Sequence, residues 1–439
     1  MNKDNAGGFM SPDELQVIQE TIETESLGSA AQKIQEYFEQ LDKTELHIAV
    51  TGVSGKGKST FVNAIRGLGD EDEGSAPTGV VETTMEPTPY HHPNYPNVTF
   101  WDLPGIGRET FSADQFLDKV GFHRYDFFII ISSERFTSHD ANLGKAIQKM
   151  GKHFYFIRSK IDESLRAKRV RKSNYDEKAT LDQIRQDCIS GLQKFGVGAP
   201  KVFLISSFEL DKYDFPQLQE AMEKELPKEK RHVFLLALPN LSVSVYQRKK
   251  ELLQANIWKL ALLSATVAAV PIPGLGFGVD VKLLAKEINK YKKAFGLDEA
   301  SLKHLSKQVN VPVLELKKAT RSGFDGDITD GMVIKMLAKV AGGELIVPGK
   351  EKREMTMSDF SNETGKTFSS MLSKLAGGGL MAAKEHLSCF VGIGTVAAGG
   401  IAFWVTRSML KSCLEKLAED AHCVMVRAFP NEGREQAHI

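Results

Sequence analysis

The chain has 439 residues, 42% hydrophobic and 26% charged, with 56 Lys+Arg against 56 Asp+Glu. This balance excludes a largely disordered chain. It also excludes a protein defined by a strongly basic nucleic-acid surface, so no nucleic-acid partner is expected.

Cys188, Cys389, Cys413 and Cys423 lack CxxC or zinc-type spacing and read as free thiols, buried rather than palmitoylated for the last three. The opening MNKDNAGGFM does not read as a signal peptide, residue 2 is not Gly, and the closing EQAHI is no prenylation box. A cytoplasmic chain is expected.

Residues 1–45 carry ten Asp/Glu against three Lys. Ser11-Pro12-Asp13-Glu14 is a helix-start signal, and Ala30, Ile34, Tyr37, Phe38 and Leu41 recur at helical spacing. An N-terminal helical hairpin is expected. From residue 46 the pattern changes to short β-rich runs: 46–52, 98–105, 125–132, 153–159 and 201–207. Their unbroken apolar, aromatic and β-branched content predicts parallel strands buried on both faces, joined by crossover helices. Beyond Leu226-Pro227 the chain reads as helices broken by Pro and Gly clusters at 271–274, 323–326, 342–343 and 377–379.

Gly52 to Ser59, GVSGKGKS, fits GxxxxGK[ST] between a β run and the helix-like STFVNAIRG. Gly52, Gly55 and Gly57 let backbone N–H groups of the loop, including Ser54 and Lys56, converge on phosphate oxygens. The following helix, opening on Lys58, Ser59 and Thr60, adds its positive dipole end. Lys58 would neutralise β- and γ-phosphates, and Ser59 would ligate Mg²⁺. Asp102-Leu103-Pro104-Gly105 ends the next run, where Asp102 suits Mg²⁺ and the Gly105 N–H suits the γ-phosphate. Between them, residues 71–89 form a loop in which Thr84, or else Thr83 or Thr78, would reach Mg²⁺ when a γ-phosphate is present.

Arg158-Ser159-Lys160-Ile161-Asp162 follows another β run. A carboxylate at Asp162 would accept two hydrogen bonds from guanine N1–H and its 2-amino group, with the Lys160 stem over the base. Ser159 stands where [N/T]KxD has Asn or Thr. Ser206-Ser207 would bring a backbone N–H near guanine O6. After Gly105 comes Ile106, where many Ras-like GTPases carry the Gln that orients the attacking water. Hydrolysis by an isolated monomer is therefore expected to be slow.

Together these residues resemble the immunity-related GTPases, the interferon-inducible group of dynamin-like GTPases. The likeness extends to TGVVETTMEPTPYHHP (78–93), WDLPG (101–105), RYDFFIIIS (124–132), FYFIRSKID (154–162), VFLISSFE (202–209), YDFPQL (213–218) and ELPKEKRHVFLLALP (225–239). It implies an α/β P-loop GTPase domain, mostly parallel sheet with helices on both faces, at 46–226. An all-α helical domain would be built from 1–45 and 227–439. It implies GTP/GDP and Mg²⁺ as ligands, and GTP-dependent homo-oligomers joined through the nucleotide face, with related GTPases as further partners. In that contact a Glu of the loop at 71–89, called switch I, and the ribose take part; the matching residue is Glu82. It also implies reversible action on an intracellular membrane in cell-autonomous defence. Lys58 places the chain with members that have GKS rather than GMS. Chemistry would fall to Lys58, Glu82, Thr84 and Gly105, as in-line water attack helped by positioning and charge. The alternative is a nucleotide-gated binding module with little turnover.

Two uncharged 20-residue runs, 260–279 and 387–406, are long enough to span a bilayer, yet Pro and Gly interrupt them. Buried helices of the helical domain are expected, with 368–406 the segment best suited to touch a membrane. The basic run Arg166, Lys168, Arg169, Arg171, Lys172 lacks aromatic partners and reads as a solvated face, and His91-His92 as loop residues.

Overall fold

A computed structural model describes residues 27–79, 86–104, 113–133, 137–171, 175–210, 212–240, 243–269, 277–324, 326–341 and 393–428. The chain divides into two units, Leu41–Tyr246 and the flanking Met1–Gln40 with Gln247–Ile439.

The first unit is built on a six-stranded sheet of β1 (Leu46–Thr51), β2 (Thr88–His91), β3 (Val98–Asp102), β4 (Phe127–Ser132), β5 (His153–Arg158) and β6 (Val202–Leu204). The order is β2-β3-β1-β4-β5-β6. All pairings are parallel except β2 with β3. Alternate residues Phe128, Ile130, Phe154 and Phe156 pack with Ala141, Ile147, Cys188 and Leu192 of two flanking helices, Ser138–Lys149 and Glu177–Lys194. Their neighbours Phe127, Ile129, Tyr155 and Ile157 point to the opposite face and are also buried. Burial on both faces is what the unbroken apolar runs required.

β2 lies within a stretch that carries no strand signal in the sequence. Pro89 cannot donate to a ladder, so the segment reads as loop; as an edge strand opposite Trp101 it needs only one bonded side. The sheet unit also runs to Tyr246, past the expected boundary at 226. Helix Lys228–Ala237 packs on β1 and β3, burying Val233 to Ala237, while Lys230 Nζ meets Asp126 at 2.6 Å.

The second unit is helical. It contains Leu27–Lys43 up to Gln40, most of Val243–Ala269, and Phe277–Ala294, Glu299–Val309, Val313–Ala319, Asp330–Ala341 and Ile393–Ala428. Ile34 is buried, and Lys259 Nζ stands 3.6 Å from the Tyr37 ring centroid, which ties the N-terminal helix into the bundle. Leu260 to Ala265 of the first uncharged run are buried, as are Phe403 and Val405 of the second. Ser264 and Thr406 join the runs by a 3.0 Å hydroxyl hydrogen bond. Among the described residues no helix is long and apolar enough to cross a membrane. Cys188 and Cys413 are free and buried, while Cys423 is only half-buried. The first half of the expected hairpin, Cys389 and residues 368–392 lie outside the described residues.

Candidate nucleotide-binding site

The phosphate loop leaves the C-terminal end of β1, and its glycines have different jobs. Gly52 has φ 136°, and a Cβ there would lie 2.1 Å from the Ile131 carbonyl oxygen of β4. Only glycine lets the chain turn this close to the neighbouring strand. Gly55 and Gly57 adopt the left-handed region, at φ 75° and 90°. Gly57 caps helix Lys58–Ile65, whose first ladder bond runs from the Phe61 N–H to the Gly57 carbonyl at 3.0 Å. Lys58 is buried at the first helical position; Ser54, Lys56, Ser59 and Thr60 are half-buried around the loop.

Parallel register places Val50 of β1 opposite Asp102 of β3, so the DLPG aspartate ends level with the loop. The Ser59 hydroxyl donates to Asp102 Oδ2 at 2.7 Å. A hydroxyl and a carboxylate paired at a helix N-terminus beside a buried lysine form a hard oxygen donor set, one that suits a small divalent cation bound to phosphates. Tyr90 of β2 lies near: burial, then the Asp102 charge, push its phenol up.

The base-recognition loop is fastened to the same centre. Ser159 N–H donates to the Ser132 carbonyl at 2.8 Å, and its hydroxyl donates to the Lys56 carbonyl at 2.7 Å. The unusual serine therefore links this loop directly to the phosphate loop. Lys160 is left-handed at φ 53°, and Asp162 lies in the first turn of helix Ile161–Arg171. The Ile161 N–H reaches the Ile205 carbonyl at 3.4 Å, which brings Ser206 and Ser207 alongside. Ser206 is fully buried, and its Oγ accepts from the Phe208 N–H at 3.3 Å. The structure thus gathers Gly52 to Thr60, Asp102, Ser159 to Asp162 and Ser206-Ser207 at one end of the parallel strands. Glu82, Thr83, Thr84 and Gly105 lie outside the described residues; Thr78 is exposed.

A family model described as Interferon-inducible GTPase (IIGP) matches residues 11–341. The chain belongs to the interferon-inducible GTPase family. It is 37% identical over 432 residues to Interferon-inducible GTPase 5 of Bos taurus, covering 98% of this chain and 85% of that one. It is 40% identical over 315 residues to Interferon-gamma-inducible GTPase 10 of Mus musculus, covering 72% and 75%. As a GTPase of this family the chain binds guanine nucleotides and converts GTP to GDP and phosphate.

The sequence did not flag two residues of this GTPase. Asn63 is fully buried; its side chain donates to Asp70 at 2.9 Å and to the Ala76 carbonyl at 3.0 Å, and accepts from the Ala76 N–H at 2.6 Å. Arg66 donates through Nε and Nη2 to the His91 carbonyl, at 3.0 and 2.9 Å, and through Nη2 to Gly74 at 3.0 Å. Helix Lys58–Ile65 and its C-cap Arg66 thus anchor the chain both before and after positions 80–85. The available signal was polar residues on the apolar face of a short helix, where a side chain needs bonded partners.

Proposed function

We propose that this GTPase self-assembles through its nucleotide face when GTP is bound, and that assembly completes the catalytic site. In this reading Ser59, Asp102 and a switch I threonine, Thr84 first, would hold Mg²⁺, which would supply positive charge to offset that of the phosphates. Lys58 adds a fixed positive charge there. Lys160 and Asp162 select guanine, and the Gly105 N–H meets the γ-phosphate. The observation that carries the assembly step is Ile106, which cannot orient a water as the Ras-like Gln does. A second copy then supplies what one chain lacks, with Glu82 at the contact. Family membership supports a role in cell-autonomous immune defence, exerted by reversible association with an intracellular membrane; related GTPases are further candidate partners.

Mass measurement by light scattering tests the assembly step, with GDP, a non-hydrolysable GTP analogue and no nucleotide. Dimers or larger species with the analogue alone, lost in Glu82→Ala, are expected. A monomer in all three states overturns it. Vesicle flotation in the same three states tests the membrane step: capture with the analogue is expected, and no capture in any state overturns it.

A further inference from the structure

We infer that Arg158 is a positioning residue for base selection: its guanidinium sets the backbone that carries Lys160 and Asp162. This rests on the reading that those two residues meet guanine. Arg158 closes β5 and is 9% exposed. Nη1 donates to the Ser133 carbonyl, just past β4, and to the Ser159 carbonyl at 2.7 Å. Nη2 donates to Ser164 Oγ at 3.2 Å, and that hydroxyl donates to the Lys160 carbonyl at 3.1 Å. The Arg158 carbonyl accepts from the Ile205 N–H at 2.9 Å. One side chain therefore touches the end of β4, the recognition loop and the helix that carries Asp162.

The loop needs such a clamp. Lys160 has a Cβ and still sits at φ 53°, a conformation its neighbours must hold. The peptide before it is fixed by Arg158 at the Ser159 carbonyl. The peptide after it is fixed at the Lys160 carbonyl by the Ser164 N–H at 3.2 Å and by the hydroxyl that Arg158 orients. Arginine suits the task because its planar fork bonds several acceptors at once, whereas a lysine ammonium would reach them from one flexible point. Two hydrogen bonds between Asp162 and the base tolerate little movement, so a relaxed loop loses the contact to the 2-amino group before it loses phosphate binding.

The test compares dissociation constants for GDP and for IDP, whose base lacks the 2-amino group, in the full-length wild type, Arg158→Ala and Ser164→Ala. The wild type is expected to prefer GDP by about tenfold or more, the scale of one base-discriminating contact. The ratio should fall to about threefold or less in Arg158→Ala, with Ser164→Ala in between. A variant that binds both nucleotides more weakly in parallel, or simply melts earlier with the ratio intact, would show a merely structural arginine and overturn the inference. If Arg158→Ala does not fold, an unchanged ratio in Ser164→Ala overturns it. A wild-type ratio near one has a different meaning: it overturns base reading by Asp162 itself.

Discussion

The Ser159 hydroxyl donates to the Lys56 carbonyl at 2.7 Å, so one residue of the base-recognition loop fixes the middle of the phosphate loop. The bond bridges residues 103 positions apart and ties the base-recognition loop to the phosphate loop. It also explains why serine can stand in the asparagine or threonine position of [N/T]KxD: the job is donation to a carbonyl, and a hydroxyl does it.

Ser159→Ala should therefore weaken GDP binding about three- to tenfold, the scale of one lost hydrogen bond to a part-buried carbonyl. Ser159→Thr should keep most of the affinity. Titration calorimetry reads both, and equal affinities for wild type and Ser159→Ala would contradict the tether.

Gly52→Ala should cost far more than an ordinary loop substitution. The new Cβ meets a backbone oxygen at 2.1 Å at a φ of 136°, and neither strand can yield without breaking its ladder. A loss of about 3 kcal/mol or more is expected in urea unfolding, with nucleotide binding lost in parallel. A change within about 0.5 kcal/mol would show that β1 and β4 do not approach as described.

Lys249 gives stability a pH signature. It is 1% exposed in helix Val243–Ala269, where its Nζ donates to the Ala294 carbonyl at 3.0 Å. Burial lowers its ammonium from the ordinary 10.5 to about 7. Between those values the unfolded chain holds the proton and the folded chain does not, so stability rises with pH through that window and is lost as pH falls toward 7. The slope at mid-window should approach ~1.4 kcal/mol per pH unit. Lys249→Met should remove it, because Met fills similar volume without titrating. Equal slopes for both proteins in denaturant titrations across this range would contradict the assignment.

What the sequence disclosed followed from periodicity and from motifs with fixed spacing. β1, β3, β4, β5 and β6 were legible because strands buried on both faces must be apolar throughout. The phosphate loop, Asp102 and the Ser159–Asp162 loop were legible because each motif ends a strand, and a parallel sheet brings strand ends together. β2 was hidden by Pro89, and helix Lys228–Ala237 by a boundary that only its packing reveals. Asn63, Arg66 and Arg158 were hidden for another reason. Their roles consist of side-chain hydrogen bonds, most of them to backbone groups, and a backbone partner leaves no mark on residue type.

Whether assembly completes the chemistry of a guanine-selective GTPase is read from GTP turnover per molecule across a range of protein concentrations. ATP serves as the substrate control and Lys58→Ala as the inactive reference. A rate that climbs with concentration for GTP, stays near zero for ATP and is absent in Lys58→Ala is expected. A flat, near-zero rate at every concentration despite tight GTP binding would contradict it.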